Sequence, residues 1–458
     1  MKGIWMHRSR VVHFLLGFGV AGVSWGADWP MYRHDPARSG WTAESLSLPL
    51  VELWSVAPSA PPVPAWPVPQ PGWTELPKLD FDHAHHAILV GDVLYYGSSV
   101  DHGIHALDAA TGARKWSFFT GGPVRLAPTW AEGRIYAGSD DGMVYCLDAS
   151  SGRRVWSERP FRDPARILGA GRVMSLWPIR TDVLVEGGVA YLGAGIFPTR
   201  GTAVFAYDAQ SGRLIWRASA VPKESNVTLT PQGYLLASSE QLYVLNGRTV
   251  PIRYKRADGT VLGSLVRDYD IVKAKGVVSG GYGTLAEGRL FFGSQNVLHT
   301  YDAEGKHTGA VRDARQIVVT SNRLYQLTGL PLPRTGEKGG QNAVLAFART
   351  AGGRMLPGGS PVWRFTADRL QTLIVAGKHV VAGGDGELFI LDADSGRKVW
   401  SAKVEGRALG LAVANGLLAV STDTGRIHVF GRGLRGASAS PFDLSALLAT
   451  AAPLNSLA

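Results

Sequence analysis

A ten-residue phrase occurs four times in this chain and constrains the fold more than any other feature. The copies are LDAATGARKW at 107–116, LDASSGRRVW at 147–156, YDAQSGRLIW at 207–216 and LDADSGRKVW at 391–400. In every copy an Asp lies eight residues before a Trp, and a Ser/Thr-Gly pair lies between them. Such self-similarity is typical of repeat architectures, in which each repeat is one supersecondary unit. We therefore expect a repeat protein, a class that more often binds than catalyses.

The residues around the second copy predict four short strands per repeat. Alternating apolar and polar residues indicate strands at Val124–Trp130, Arg134–Gly138, Met143–Leu147 and Arg153–Ser157. Pairs that contain Gly separate them, and Gly accepts the positive φ of tight hairpin turns. The Asp is expected to bond to backbone amides of its own turn, and the Trp to fill the space between neighbouring repeats. Each repeat is therefore predicted to be a four-stranded antiparallel meander.

Less regular copies fill the gaps between the clear ones, so that we count eight units. The copy at 242–254 has Asn246 at the Asp position, and the copy at 289–306 keeps Asp302 without a following Trp. A sixth unit lies around 342–349.

The last unit and the start of the chain complement each other. The unit at 417–432 ends before its Trp strand, whereas LVELWSV at 50–56 is a Trp strand with no unit before it. A closed ring has no exposed sheet edge to recruit other chains. We therefore predict an all-β fold, an eight-bladed β-propeller of four-stranded antiparallel blades, closed by an N-terminal strand that contains Trp54.

The phrase L-D-A-x-[ST]-G-x-x-x-W resembles the repeat of the pyrroloquinoline-quinone-like propeller superfamily, and so does the segment DWPMYRHDPARSG at 28–40. This superfamily includes quinoprotein alcohol dehydrogenases and the B lipoprotein of the outer-membrane barrel-assembly machinery. The resemblance runs from about Asp28 to about Arg432 and implies the propeller fold. It does not choose a function, because one fold hosts many activities.

The first 26 residues are typical of a secretory signal peptide. A basic segment precedes the apolar run Val11–Val23, and small residues follow it, so we expect cleavage before Ala27. No Cys lies near that position, so the lipid anchor of the assembly lipoprotein is not expected. The expected location is periplasmic or secreted, with no membrane-spanning segment.

The mature chain is predicted to be one propeller, 27–435, followed by a C-terminal tail or linker, 436–458. A Pro-rich insertion at 57–82 interrupts the propeller, and its residues Ala57–Leu76 are expected to form an extended strap across one face.

The net charge of +10 is scattered through turns, which favours a solvated surface over a nucleic-acid site. We expect a monomer whose partner is a protein or an anionic ligand at a propeller face.

The resemblance also raises the possibility of a quinone enzyme. The dehydrogenase branch uses two adjacent cysteines against the cofactor, a calcium site and an Asp base. This chain has a single cysteine, Cys146, and no C-x-x-C-H haem motif. We therefore expect no cofactor and disfavour pyrroloquinoline quinone. A quinone- or metal-dependent oxidoreductase remains the alternative to a non-catalytic binding or scaffold module.

The cluster DFDHAHH at 80–86 is the strongest metal candidate in the sequence. On a strand, His83 and His85 share one face, while Asp80, Asp82 and His86 share the other. Two histidines on one face can hold a metal together with a third ligand. Alternatively, they are polar side chains at the channel mouth. We expect no metal here.

Several units place a cation at the same level of their first strand. Counting thirteen residues back from the second strands gives Arg125, Arg180 and Arg407, with Arg369, His83 and His85 one residue out of register. First strands line a propeller channel, so these residues are predicted to form a partial basic ring at one mouth. An Arg there suits a carboxylate or phosphate ligand. In the other interpretation each Arg pairs with an acid or a carbonyl of a neighbouring blade.

Overall fold

The structure is a computed structural model, which describes residues 28–66, 82–169, 171–221, 228–246, 250–265, 282–293, 297–329, 342–349 and 359–433. The expected signal peptide, the C-terminal tail and residues 67–81 of the Pro-rich insertion lie outside the described residues.

The regular structure of the described residues is almost entirely β-strand, as predicted, with one 3-10 turn at Pro198–Arg200. The strands of the first half are β1 (Trp41–Thr42), β2 (Val51–Val56), β3 (Ala87–Val90), β4 (Val93–Gly97), β5 (Gly103–Asp108), β6 (Arg114–Phe119), β7 (Thr129–Ala131), β8 (Arg134–Gly138), β9 (Val144–Asp148), β10 (Arg154–Glu158), β11 (Arg166–Gly169), β12 (Arg172–Ser175), β13 (Leu184–Glu186), β14 (Val189–Ala194), β15 (Ala203–Asp208) and β16 (Leu214–Ala218). The strands of the second half are β17 (Leu236–Ala237), β18 (Gln241–Val244), β19 (Ile252–Lys255), β20 (Val261–Ser264), β21 (Tyr282–Ala286), β22 (Arg289–Gly293), β23 (Val297–Tyr301), β24 (His307–Arg312), β25 (Gln316–Val319), β26 (Arg323–Leu327), β27 (Ala343–Ala348), β28 (Trp363–Thr366), β29 (Thr372–Ala376), β30 (His379–Gly383), β31 (Asp385–Asp392), β32 (Lys398–Ala414), β33 (Leu417–Thr422) and β34 (Ile427–Gly431).

Six sheets of the described chain are four-stranded antiparallel meanders, in which each strand pairs with the next along the chain. They are β3–β6, β7–β10, β13–β16, β17–β20, β21–β24 and β25–β28. The predicted meander is therefore confirmed, although in the second unit β7 begins only at Thr129 instead of Val124. A separate hairpin, β11–β12, lies between the second and third of these sheets along the chain.

The remaining large sheet contains the ring closure. Strand β32 is 17 residues long; up to Arg407 it pairs with β31, and from Ala408 onward it pairs with β33. Strand β2 pairs antiparallel with β34, with Trp54 opposite Val429. Closure by an N-terminal strand is therefore confirmed. The count of eight blades stays a prediction.

The first strands of successive units contact one another around the axis. Contacts join β3 to β32 and β33, β7 to β13, β17 to β21, β21 to β25, and β25 to β29. A ring of neighbouring inner strands is the arrangement of a propeller.

The Trp of each phrase joins its unit to the next one, as predicted. The indole Nε1 of Trp116 donates to the Ala149 carbonyl at 2.9 Å, and that alanine follows the Asp of the next phrase. The same bond joins Trp54 to Ala109, Trp156 to Ala209, Trp216 to Arg256, Trp363 to Ala393 and Trp400 to Leu50. The chain thus repeats one contact at most of its blade boundaries.

The turn of the phrase is shaped to receive that Trp. Asp148 Oδ1 accepts a hydrogen bond from the Ser151 amide at 2.9 Å, which confirms the predicted role of the Asp. Gly152 has φ +69°, and a Cβ added there would lie 2.6 Å from the Trp116 ring. Glycine is therefore needed both for the backbone conformation and for the close approach of the indole.

The predicted position of the repeat turn in the fourth unit was wrong. Asn246 does not take the Asp position; it follows the second strand β18 and bonds to the Thr230 amide and the Val250 carbonyl. The turn of the phrase lies instead at Asp258-Gly259, where a Cβ on Gly259 would meet Trp216. The prediction was wrong because the apolar run of a second strand has the same pattern as that of a third strand.

An arginine replaces the missing Trp of this unit. Gly263 stands four residues after Gly259, where the other phrases have Trp. Arg253 donates to the Ala303 and Glu304 carbonyls of the next unit, both at 2.6 Å. A guanidinium from the third strand thus makes the inter-blade bond.

The segment Asp28–Gly40, called the central segment below, crosses the ring at the first strands. Its backbone bonds join Trp29 to Leu89, Pro30 to Trp130, Pro36 to Ala237, Ala37 to Leu285 and Gly40 to Val375. Its buried Arg38 bonds to the buried Asp182 and to the Leu235 carbonyl. The central segment therefore fills the axis with the chain itself.

Gly152→Ala should destabilise the protein more than Gly133→Ala. Both glycines have positive φ, +69° and +75°, but a Cβ on Gly133 would meet nothing within 4 Å. Both changes carry a left-handed backbone cost of about 1–2 kcal/mol. Gly152→Ala adds roughly 1–3 kcal/mol for displacing the Trp116 ring. Urea unfolding of both variants measures the difference, and equal losses would contradict the proposed Trp–Gly contact.

Candidate functional site at the channel mouth

The Pro-rich strap crosses one mouth of the ring. The described part of the insertion, Ala57–Trp66, forms no strand and is called the strap below. The Val63 amide donates to Ser99 Oγ of the first sheet at 3.0 Å. Trp66 Nε1 donates to Gln232 Oε1, beside the fourth sheet, at 2.9 Å. The strap therefore covers the mouth from the first to the fourth sheet.

Two of the predicted ring arginines meet at one buried aspartate beneath the strap. Arg125 Nε lies 2.8 Å from Asp140 Oδ2, and Arg180 Nε lies 3.2 Å from Asp140 Oδ1. All three side chains are buried. Burial raises the pKa of Asp140, but the charges of Arg180 and Arg125 outweigh it and hold the pKa below its ordinary value. The carboxylate thus compensates both guanidinium groups.

The strap supplies further partners to these arginines. Arg125 Nη1 donates to the Val63 carbonyl at 2.6 Å, and the guanidinium of Arg180 lies 5.8 Å from the centre of the Trp66 ring. These are the contacts that a carboxylate and a planar ring of a ligand would make. The chain itself makes them here.

Asp82 lies in the same cluster. Its Oδ2 accepts from the Ala65 amide at 2.6 Å and lies 3.5 Å from Arg125 Nη1, while Oδ1 is buried with no hydrogen-bond partner among the described residues. Burial raises the pKa of Asp82 despite the nearby charge of Arg125.

The other two arginines form separate, more exposed pairs. Arg407 Nε lies 2.8 Å from Asp423, and Arg369 Nη1 lies 3.0 Å from Asp385. The side chain of Arg369 is 76 % exposed, against 6 % for Arg125. All four predicted arginines therefore have an acidic partner, which supports the interpretation in which blade acids compensate the ring. Ligand binding by these residues stays a prediction.

The positions of the arginines differ slightly from those predicted. Arg125, Arg180 and Arg369 precede the first strands β7, β13 and β29, and Arg407 lies where β32 passes from one unit to the next. The acids were missed although the sequence carries their signal. Asp140 follows Arg125 by 15 residues, and Asp385 and Asp423 follow Arg369 and Arg407 by 16. This spacing joins the start of a first strand to the turn after the second strand.

The histidine cluster does not form the predicted strand. Residues 82–84 are a turn and bends, and β3 begins only at Ala87, so the alternation of faces was wrong. His85 is buried, and burial lowers its pKa to about 4. His83 is half-buried, and Asp80 lies outside the described residues. Within the described ranges no group of three or more metal-ligating side chains occurs.

The single cysteine of this chain does not supply the adjacent pair that the dehydrogenase branch uses. Cys146 is buried in β9, and burial raises its pKa to about 11, so it is a packing residue of a blade. A cavity of about 10 Å³ lies beside the central segment, bounded by Tyr32, Arg33, His86 and Gly410 among others. That volume holds about one water molecule. The expectation of no quinone cofactor stays a prediction.

Comparisons with known proteins agree with this architecture. A sequence profile of the family described as outer membrane protein assembly factor BamB matches residues 51–175 and 342–432. BamB from Moraxella catarrhalis superposes with a TM-score of 0.51 at 16% identity, over 84% of this chain and 100% of that chain. The chain is therefore similar in sequence to this assembly-factor family over those residues, and its all-β fold is that of the pyrroloquinoline-quinone-like propellers.

Two solved dehydrogenases share the fold of this propeller as well. The quinohemoprotein alcohol dehydrogenase from Comamonas testosteroni has a TM-score of 0.60 at 14% identity, over 90% of this chain and 82% of that chain. A europium-containing methanol dehydrogenase has a TM-score of 0.61 at 13% identity, over 89% and 98%. Identities this low show the fold alone. No curated protein sequence matches the chain.

A search of the described residues finds no helix with the length and apolar character needed to cross a membrane.

Asp140→Asn should destabilise this propeller far more than Asp385→Asn. The first change leaves two buried guanidinium groups without their carboxylate, which typically costs about 3–5 kcal/mol. The second breaks an exposed pair and should cost less than about 1 kcal/mol. Because folding lowers the pKa of Asp140, its contribution is present above the unfolded value of 3.8 and is lost as pH falls through the folded value. Urea unfolding at pH 7 measures both losses; similar values for the two variants would show that the buried cluster is not a structural tie.

Proposed function

We propose that this chain is an exported, non-catalytic scaffold that binds a protein partner at the face crossed by the strap. Support comes first from the axis, where the central segment and the strap occupy space that a small ligand would need. It comes also from the matched family, whose description names an assembly factor. The observation that carries the proposal is the apolar surface of the hairpin β11–β12.

This hairpin exposes an apolar pair at the strap face. Leu168 and Val173 are cross-strand partners, and they are 77% and 60% exposed. Arg172 ties the hairpin to the first sheet, because its Nη1 donates to the Ser99 carbonyl at 2.9 Å. Met174 of the same hairpin packs against Arg180 with a sulfur contact of 3.3 Å. The apolar pair therefore stands on a fixed support beside the strap.

Contiguous exposed apolar side chains mark interaction sites more often than singly scattered ones do. Phe119, 62% exposed at the end of β6, lies at the same end of the ring, since the neighbouring Thr120 amide donates to the His102 carbonyl and Arg172 reaches His102. A partner that covers these side chains would bury apolar area, which is the main favourable term in protein association.

A photo-crosslinking amino acid at position 168 or 173 should give a specific adduct with one protein in living cells of the source organism. The same probe at Val155, which is 45% exposed on the outer strand β10, should give none. Leu168→Asp together with Val173→Asp should abolish the adduct formed from a probe at Phe119. Adducts of equal yield from Val155, or none from the hairpin, would contradict this placement of the partner.

The alternative function, a quinone-dependent dehydrogenase, is supported by fold similarity to two such enzymes. The purified protein should nevertheless show no dye reduction with alcohols or sugars after addition of pyrroloquinoline quinone and calcium, because the chain has one cysteine in place of an adjacent pair and no C-x-x-C-H haem motif. Thermal shift with the quinone serves as the binding control. Substrate-dependent turnover would overturn the scaffold proposal in favour of the enzyme.

A further inference from the structure

Two histidines on the outer part of the fifth sheet place one ring nitrogen each close enough together to bind a single metal ion. His299 is in the third strand β23 and His307 in the fourth strand β24. His299 Nδ1 lies 3.2 Å from His307 Nε2, and the ring centres are 5.3 Å apart. His307 is exposed and His299 half-buried, so a solute can reach the pair from solvent.

A bulge brings these two rings together. The pairing of β23 with β24 shifts between Thr300 and Tyr301, so that His307 pairs with Tyr301 but its ring reaches His299. Thr300 and Thr308 bond through their hydroxyls at 3.0 Å, which ties the two strands at this irregularity. Bulges re-aim side chains in this way, often at functional positions.

The separation of the two nitrogens matches the bite of a chelate. Two imidazole nitrogens, each about 2.0–2.1 Å from one zinc ion, lie about 2.9–3.4 Å apart for coordination angles between square and tetrahedral. The observed 3.2 Å falls inside that range. In the absence of metal the same distance suits one N–H···N hydrogen bond, which holds the rings close together.

We propose that His299 and His307 form a two-histidine chelate for a divalent ion of the zinc, copper and nickel class. Imidazole nitrogens suit these ions. The described residues contain no group of three metal-ligating side chains, and we assign the remaining positions on the ion to water or to a group from another molecule. The site is independent of the strap face and of the proposed scaffold function.

The test is a calorimetric titration of the untagged, metal-free mature chain with Cu²⁺, Zn²⁺ and Ni²⁺, each in a separate experiment. The expected result is one site per chain for at least one ion. Paramagnetic resonance of the Cu²⁺ form should show coupling to two nitrogen nuclei. His299→Ala and His307→Ala should each weaken binding by about 10- to 100-fold or more, since even loss of an outer-shell partner costs that much.

His34→Ala is the matched control, because His34 is another partly exposed histidine with a side-chain partner, Asp35 at 3.5 Å. The affinity of the His34→Ala variant for the metal ion should equal that of the unchanged protein. The melting temperatures of all variants should agree. If a histidine variant unfolds, His307→Gln provides the second test, because it keeps a polar side chain and removes the imidazole ligand. Absence of binding in the unchanged chain, or unchanged affinity in the His299 and His307 variants, would overturn the proposal.

Discussion

The packing of an indole on a glycine turn is the contact on which the ring depends. Trp116 on Gly152 is one instance, and the indole N–H at the same time satisfies the carbonyl of Ala149. The contact combines apolar packing of the ring with one hydrogen bond of the indole N–H. It therefore fixes both the distance between neighbouring blades and the rotation of one blade relative to the next. Trp54 makes it with Gly112 and the Ala109 carbonyl, and Trp400 makes the hydrogen bond alone, to the Leu50 carbonyl just before the closing strand, which ties the two ends of the propeller to their neighbours.

Two ion pairs are buried where the central segment and the strap cross the ring. Arg38 of the central segment pairs with Asp182 just before β13, and Arg125 pairs with Asp140 beneath the strap; all four side chains are buried. Such pairs add little net stability, because desolvation offsets their attraction, but separating them is costly. A shift of the central segment would therefore separate Arg38 from Asp182, and a shift of the strap would remove the Val63 carbonyl from Arg125.

The sequence predicts the repeated contact well and the exceptions to it poorly. Asp, Gly and Trp act within one turn or between adjacent units, so their spacing is visible in the phrase. Asn246 was misplaced because the apolar run of β18, a second strand, has the same local pattern as that of a third strand. The Asp140 pairing was missed because Arg125 and Asp140 approach each other across a hairpin. His83 and His85 were expected on a strand, yet the preceding Asp82 is held by the strap amide of Ala65.

Positions outside the repeated contact differ from unit to unit, and different side-chain pairs occupy them. The position of His299 holds Phe389 in the seventh unit, and that of His307 holds Lys398, whose amine lies 6.0 Å from the Phe389 ring. The same cross-strand pair of positions thus makes a cation–aromatic contact in one blade and a histidine pair in another. Neither pair replaces the indole–glycine contact, so substitution there leaves the ring closed. A scaffold built from one strong local contact can therefore vary its outer strands without loss of the fold.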